Sequence, residues 1–167
     1  MSTALYLLLA QSLLGAFDTL YYHEYRLQLP RQPHAHRELR LHAYRDAIYA
    51  LLLATLGWVA WQGWLAALLL AFLIAEIAIT LTDFVEEDRT RRLPPGERVM
   101  HALMGIVYGL FLAQLFPQLL RWGRLPAGFS PVHHGAVSWL LSLLALGVFL
   151  SGIRDYLSGQ KRKGDTN

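Results

Sequence analysis

The sequence predicts an all-α, polytopic membrane protein. Five transmembrane helices are expected, four of them forming a bundle of two tandem helix-hairpin repeats, with a fifth helix on its flank. Three observations carry this. Of 167 residues, 54% are hydrophobic and only 16% charged, where an ordinary globular domain is nearer a quarter charged. The apolar residues gather into runs close to the length a helix needs to cross a bilayer core, about 20 residues. And the stretch 38–56 recurs, residue type by residue type, at 97–115.

Each element follows in chain order. The first run, Ala4–Tyr22, has no Lys or Arg before Arg26; it lacks the basic start of a signal peptide and is read as a retained helix. The second, Ala47–Trp61, is short, and gains length if Ala43–Asp46 continue it into the headgroup region. Trp64–Phe84, Val99–Leu120 and Gly135–Leu150 complete the set. Tyr21, Tyr22, Trp61, Trp64 and Trp122 fall near span ends, as an interfacial aromatic belt does. The expected organisation is one transmembrane domain over 1–157, with repeat 1 at 4–61, repeat 2 at 64–120 and helix 5 at 133–153. Residues 158–167 are expected to form a cytoplasmic tail.

Basic residues accumulate on the cytoplasmic side of membrane proteins. With five spans, thirteen of the fifteen Lys and Arg share one side, and only Arg121 and Arg124 lie on the other. A multi-pass protein of the inner (cell) membrane with its N-terminus outside and C-terminus inside is expected. The basic balance then follows from topology and anionic lipid, and requires no nucleic acid. Cysteine is absent, which removes disulfides and thiolate ligands.

The repeat is more than a coincidence of leucines. "ELRLHAYRDAIYALLLATL" lies over "ERVMHALMGIVYGLFLAQL" without a gap, with eight identities in nineteen positions. Upstream, Gln11 and Asp18 fall on Glu76 and Asp83, and Leu29-Pro30 on Leu93-Pro94. The offset drifts from 65 to 64 to 59, which places the insertions in the loop. Two hairpins of like orientation are related by an axis along the membrane normal, so equivalent residues face one another at one depth. Helix 5 has no counterpart and no acid inside its span; it is read as a flanking helix.

Polar residues recur at helical spacing. Glu38 and His42 are four apart, as are Glu97 and His101, so each pair shares a helix face. Glu76, Asp83 and Glu87 share another face on helix 3, and Asp18 has the matching place on helix 1. Anchoring the alignment on Leu-Pro puts His23 opposite Glu87. Four helices thus aim carboxylates and imidazoles at one level near the cytoplasmic interface. Burying so many ionisable groups is costly unless they pair or bind a cation.

Carboxylate and imidazole on four facing helices is the ligand set of a two-metal site. The likeness to soluble di-iron bundles is one of ligand type and symmetry, since those use Glu-x-x-His and this chain has Glu-x-x-x-His. Membrane hydroxylases place histidine-rich boxes at such a site; here His133-His134 fall on the outer side and are read as an interfacial helix start. The expected metal ligands are Glu38, His42, Glu97, His101, Asp18, Asp83, Glu87 and His23, holding two divalent ions, iron favoured over manganese or zinc.

Other polar residues have plainer readings. A lone Glu38–His42 pair would read as a solvated first turn with Arg37 and Arg40 as partners; its repetition argues against that. Glu86 and Asp88 are expected to be neutralised by Arg89, Arg91 and Arg92, and Asp46 by Arg45 or headgroups. His34 and His36 are read as surface residues. Glu76 is a third metal-facing carboxylate, a proton relay or a hydrogen-bonded neutral acid. Tyr49 and Tyr108, seven residues after the histidines, either line a pocket above the site or pack between hairpins.

The function these readings favour is an integral membrane metalloprotein, in its most specific form a di-iron oxidase or oxygenase acting on a lipid or quinone-like substrate. No nucleotide or flavin fingerprint is present, so a separate reductant would be required. A metal-dependent hydrolase would use similar ligands. The alternatives are a b-type haem electron carrier ligated by His42 and His101, a cation transporter, and a structural membrane subunit glued by an interhelical polar network.

Overall fold

The structure, a computed structural model, describes residues 1–32 and 34–160. Helix α1 (Ser2–Phe17) runs without a break into a π-helical segment, Asp18–Arg26, followed by a 3₁₀ turn at Leu29–Arg31. Then come α2 (His36–Leu56), strand β1 (Val59–Gln62), α3 (Trp64–Thr90), α4 (Pro95–Gly123), strand β2 (Gly128–Pro131) and α5 (Ala136–Gln160). Four helical segments are long and apolar enough to cross a membrane: Ser2–Arg26, Trp64–Thr90, Pro95–Gly123 and Ala136–Gln160. The second helix is not among them, because its first half carries "RELRLHAYRD". Lys161, Arg162 and Lys163, with the rest of the expected tail beyond Gln160, lie outside the described residues.

Two elements depart from the sequence reading. The apolar run expected to reach Trp61 as helix stops at Leu56, and Val59–Gln62 pairs antiparallel with Gly128–Pro131, Trp61 opposite Phe129. Both connections lie at the same end of the bundle, and β-branched and aromatic residues suit a paired strand better than a lone helical turn. The all-α expectation therefore carries one small ribbon. Gly63 closes it at φ +62°, and a side chain there would strike the Ala127 backbone, so the turn requires glycine.

The second departure is α5. Expected only as a flanking helix, it packs along the length of α2. Small residues permit the approach: a Cβ on Gly152 would sit 3.0 Å from Asp46, and one on Gly159 would sit 3.1 Å from Arg40. At the ribbon end the Ser138 hydroxyl donates to the Gly57 carbonyl at 2.6 Å. At the other end α5 brings Asp155 into the interior.

The remaining contacts respect the repeat. Helix α1 packs on α4 and α2 packs on α3, two pairings that exchange when the hairpins exchange. Leu5, Leu8, Leu52, Leu53, Leu56, Leu69, Leu73, Phe111, Leu115 and Leu141 fill the ribbon half of the bundle. The other half is inverted relative to a water-soluble protein: Glu38 and Glu97 are 0% exposed, while Val99 is 60% and Leu81 59% exposed.

Candidate metal centre

The polar end is built from the last turns of α1, α3 and α5 and the first turns of α2 and α4. Helix α4 starts at Pro95, where a missing N–H is tolerated, and Glu97 and His101 follow on its first turns. The Tyr22 hydroxyl occupies the space a side chain at Gly96 would need, which seats the helix start against the π-helical segment.

That segment explains the alignment. Asp83 and Glu87 are four apart on a regular α-helix, whereas Asp18 and His23 are five apart on the π-helix. A π turn closes i→i+5 bonds, so the extra residue is absorbed and His23 still shares the Asp18 face. The change of offset from 65 to 64 thus lies inside helix 1, a correction to its expected place in the loop.

All eight sequence-predicted ligands converge here. Asp18, His23, Glu38, His42, Asp83, Glu87 and Glu97 are buried, and the His101 side chain is 10% exposed. His42 Nε2 lies 3.1 Å from Asp83 Oδ2, and its repeat equivalent, His101 Nε2, lies 3.4 Å from Asp18 Oδ2. His101 Nδ1 is 3.5 Å from Glu87; the equivalent neighbours, His42 and His23, stack with ring centroids 4.8 Å apart. His23 Nε2 also lies 3.4 Å from both Asp18 and Glu97. Each repeat therefore completes the other's half of the cluster.

Ligand atoms fall into two groups, each within 4.8 Å: His23, Glu87, Glu97 and His101 form one, and Glu38, His42 and Glu87 the other. Glu87 belongs to both. Asp18 Oδ1, His23 Nε2, His42 Nε2, Asp83 Oδ1 and Glu87 Oε2 are buried without a hydrogen-bond partner, although the imidazoles and carboxylates lie close together. Orphaned atoms of this kind are rare in native interiors and call for an explanation.

Two arginines and an aspartate enter the site unforeseen. Arg91 donates to Glu97 at 2.7 and 2.9 Å, to Glu38 at 2.9 and 3.1 Å, and to Glu87 at 3.2 Å. Burial opposes its charge, but the hydrogen bonds it donates to Glu97 and Glu38 outweigh that and raise its pKa above the ordinary value. Arg91 was expected to neutralise Glu86 and Asp88; those acids instead meet Arg37 at 3.4 Å and Arg98 at 3.9 Å. Arg45, expected beside Asp46, donates to Asp83 at 3.0 Å. Asp155 lies 3.8 Å from His42 Nδ1 and accepts from Arg154, which also meets Glu24. The i+4 spacing of Glu87 and Arg91 was a signal for the first of these; nothing in the repeat pointed to Asp155.

His34 is exposed and His36 half-buried, and neither joins a ligand group. His133 and His134 lie at the ribbon end, the His134 N–H donating to Ser138 at 2.9 Å. Glu76, Tyr49 and Tyr108 line a cavity that also reaches Asp18 and His101, so the tyrosines are pocket residues as well as neighbours, 5.8 Å apart. No protein-family model, curated protein or solved structure matches this chain.

Proposed function

We propose that this chain is an integral membrane metalloprotein with a two-metal carboxylate/histidine site between its helices, near the cytoplasmic interface. The observation that carries the reading is the pair of ligand groups sharing Glu87, the arrangement a carboxylate-bridged metal pair requires. Charge supports it. Five buried carboxylates (Asp18, Glu38, Asp83, Glu87, Glu97) face two guanidinium groups, Arg45 and Arg91, an excess of acid that bound cations would offset.

In this reading the groups of three and four ligands take one ion each. Arg91 ties the three glutamates together, leaving Glu87 Oε2 open, and Asp155 backs His42 on its Nδ1 side, the position from which an outer carboxylate orients a metal-bound imidazole. Mixed oxygen and imidazole ligation suits iron, manganese or zinc. Bound as iron, the pair would supply oxygen-dependent oxidation; the cavity reaching Asp18 and His101 supports a lipophilic substrate arriving from the bilayer, with electrons from a separate reductant. The apolar exposed surface and the basic bias toward the polar end support a multi-pass inner-membrane protein with its C-terminus inside. Against the haem alternative, His23 stacks on His42 and stands edge-on to His101, in the space a macrocycle between them would need.

One observation favours a second reading. Arg91 by itself bonds Glu38, Glu87 and Glu97, so the cluster could be interhelical glue with no metal. Metal content per chain on detergent-purified protein decides between them, with Glu38→Ala and Glu87→Ala alongside. We expect about two ions in the wild type, about one in Glu38→Ala and none in Glu87→Ala, following the shared-ligand geometry. A metal-free wild type that folds and extracts normally would establish the glue reading.

A further inference from the structure

Two turns inward from the ligand cluster, each of four helices carries a second polar residue on the same face. Gln11 precedes Asp18 by seven residues, Glu76 precedes Asp83 by seven, and Tyr49 and Tyr108 follow His42 and His101 by seven. Seven residues of helix rise about 10 Å, so this is a distinct layer. It lines one end of a cavity of about 720 Å³ whose other end is walled by Asp18 and His101. That volume lies within the range of small-molecule sites, roughly 300–1,000 Å³.

The layer is only half satisfied. Gln11 Nε2 donates to the Tyr49 hydroxyl at 3.4 Å, and the Thr80 hydroxyl donates to Glu76 Oε1 at 2.7 Å. Gln11 Oε1, Glu76 Oε2 and the Tyr108 hydroxyl complete no hydrogen bond, the Tyr108 hydroxyl facing the Glu76 carboxylate without closing on it. These side chains belong to residues 8%, 2% and 9% exposed. Polar groups buried without a completed hydrogen bond carry a desolvation cost, which a ligand with a matching group would recover.

We infer that the cavity binds an uncharged amphiphile of the long-chain alcohol or phenol class. Its hydroxyl donates to Glu76 Oε2 or Gln11 Oε1 and accepts from Tyr108, and its apolar body runs toward Asp18 and His101. A fatty carboxylate would face Glu76 with like charge. An ammonium has no acceptor for the Tyr108 proton. The hydroxyl does both tasks. This deepens the metalloprotein reading by naming the substrate class, and places the reacting carbon about 10 Å from the anchoring oxygen.

Four glycines permit a test that leaves both polar layers intact. Gly15, Gly105, Gly109 and Gly147 line the cavity, and a Cβ at any of them would meet nothing within 4 Å. Leucine at Gly105 therefore starts from an open Cβ position at the cavity wall, adds apolar bulk there, and favours the helix. The experiment is photolabelling in nanodiscs with a diazirine-bearing hexadecanol, read by peptide mass spectrometry, with metal content measured on the same samples. In the wild type, adducts should map to the cavity, and unlabelled hexadecanol should compete roughly tenfold better than hexadecyl methyl ether, which lacks the donor. Gly105→Leu should reduce labelling to background, and Glu76→Leu should erase the preference for alcohol over ether.

Unchanged labelling in Gly105→Leu, equal competition by alcohol and ether, or no cavity adducts would overturn the inference. The expected labelling pattern in a protein devoid of metal would uphold the ligand site and refute the metalloprotein reading. Metal without that labelling would do the reverse.

Discussion

Arg91 reaches glutamates on three helices: Glu38 on α2, Glu87 on α3 and Glu97 on α4. In the sequence it stands among "EEDRTRR", where nearest-neighbour pairing with Glu86 or Asp88 is the natural reading. Helix geometry decides otherwise, because Glu87 lies one turn back on the same face while Glu86 and Asp88 point elsewhere. The carboxylates and histidines were legible because the repeat displays Asp18/Asp83, Glu38/Glu97 and His42/His101 twice and sets His23 opposite Glu87. Arg91, Arg45 and Asp155 have no repeat partners of their own type, so pattern alone could not find them. The role of Arg91 is testable on metal-loaded and metal-stripped protein. If bound metal shares the glutamates, Arg91→Gln should lower the melting temperature modestly when loaded. It should lower it far more when stripped, since a buried pair broken on one side costs about 3–5 kcal/mol. An equal loss in both states would mean that Arg91 is the only counter-ion the glutamates have.

At the scale of elements, the π-helical segment is the least expected feature and the most informative. A one-residue drift in alignment offset was visible, but helix and loop insertions look alike in sequence; only the five-residue spacing of Asp18 and His23 on one face separates them. Deleting Thr19 should convert the segment to a regular α-turn with the four-residue spacing seen at Asp83 and Glu87, and metal content should survive. Deleting Ala78 from regular α3 should rotate Asp83, Glu87 and Arg91 by about 100° and abolish it. Loss of metal in the Thr19 deletion would show that the π-turn does more than accommodate a residue. Which neighbour helix α5 meets was not legible for a related reason. Its apolar composition says nothing of which neighbour it meets, and the glycines that let it approach α2 are spaced seven apart at Gly152 and Gly159, a pattern common in any membrane-type helix.

The whole molecule is a bundle with its buried acids gathered at one end, a leucine-rich core at the other, and a largely apolar exposed surface. Composition and the length of the apolar runs predicted the helical class, and among the described residues four segments have the length and apolarity to cross a membrane. The ribbon joining the two far loops was not predicted, because strand pairing between residues 59–62 and 128–131 depends on the bundle bringing them together. The proposed orientation rests on the arginines and can be tested directly, since the chain has no cysteine to interfere. In intact cells a membrane-impermeant maleimide should label Arg124→Cys, and should label Arg89→Cys only after permeabilisation. The opposite pattern would invert the topology and move the cluster to the outer face.

The central claim is that two metal ions share Glu87. X-ray absorption at the metal edge of the purified protein tests it most directly. The account predicts nitrogen and oxygen first neighbours and a second metal at about 3.5–4 Å, with that metal–metal signal lost in Glu87→Ala. A spectrum with no metal neighbour, or protein that holds no metal at all, would contradict it.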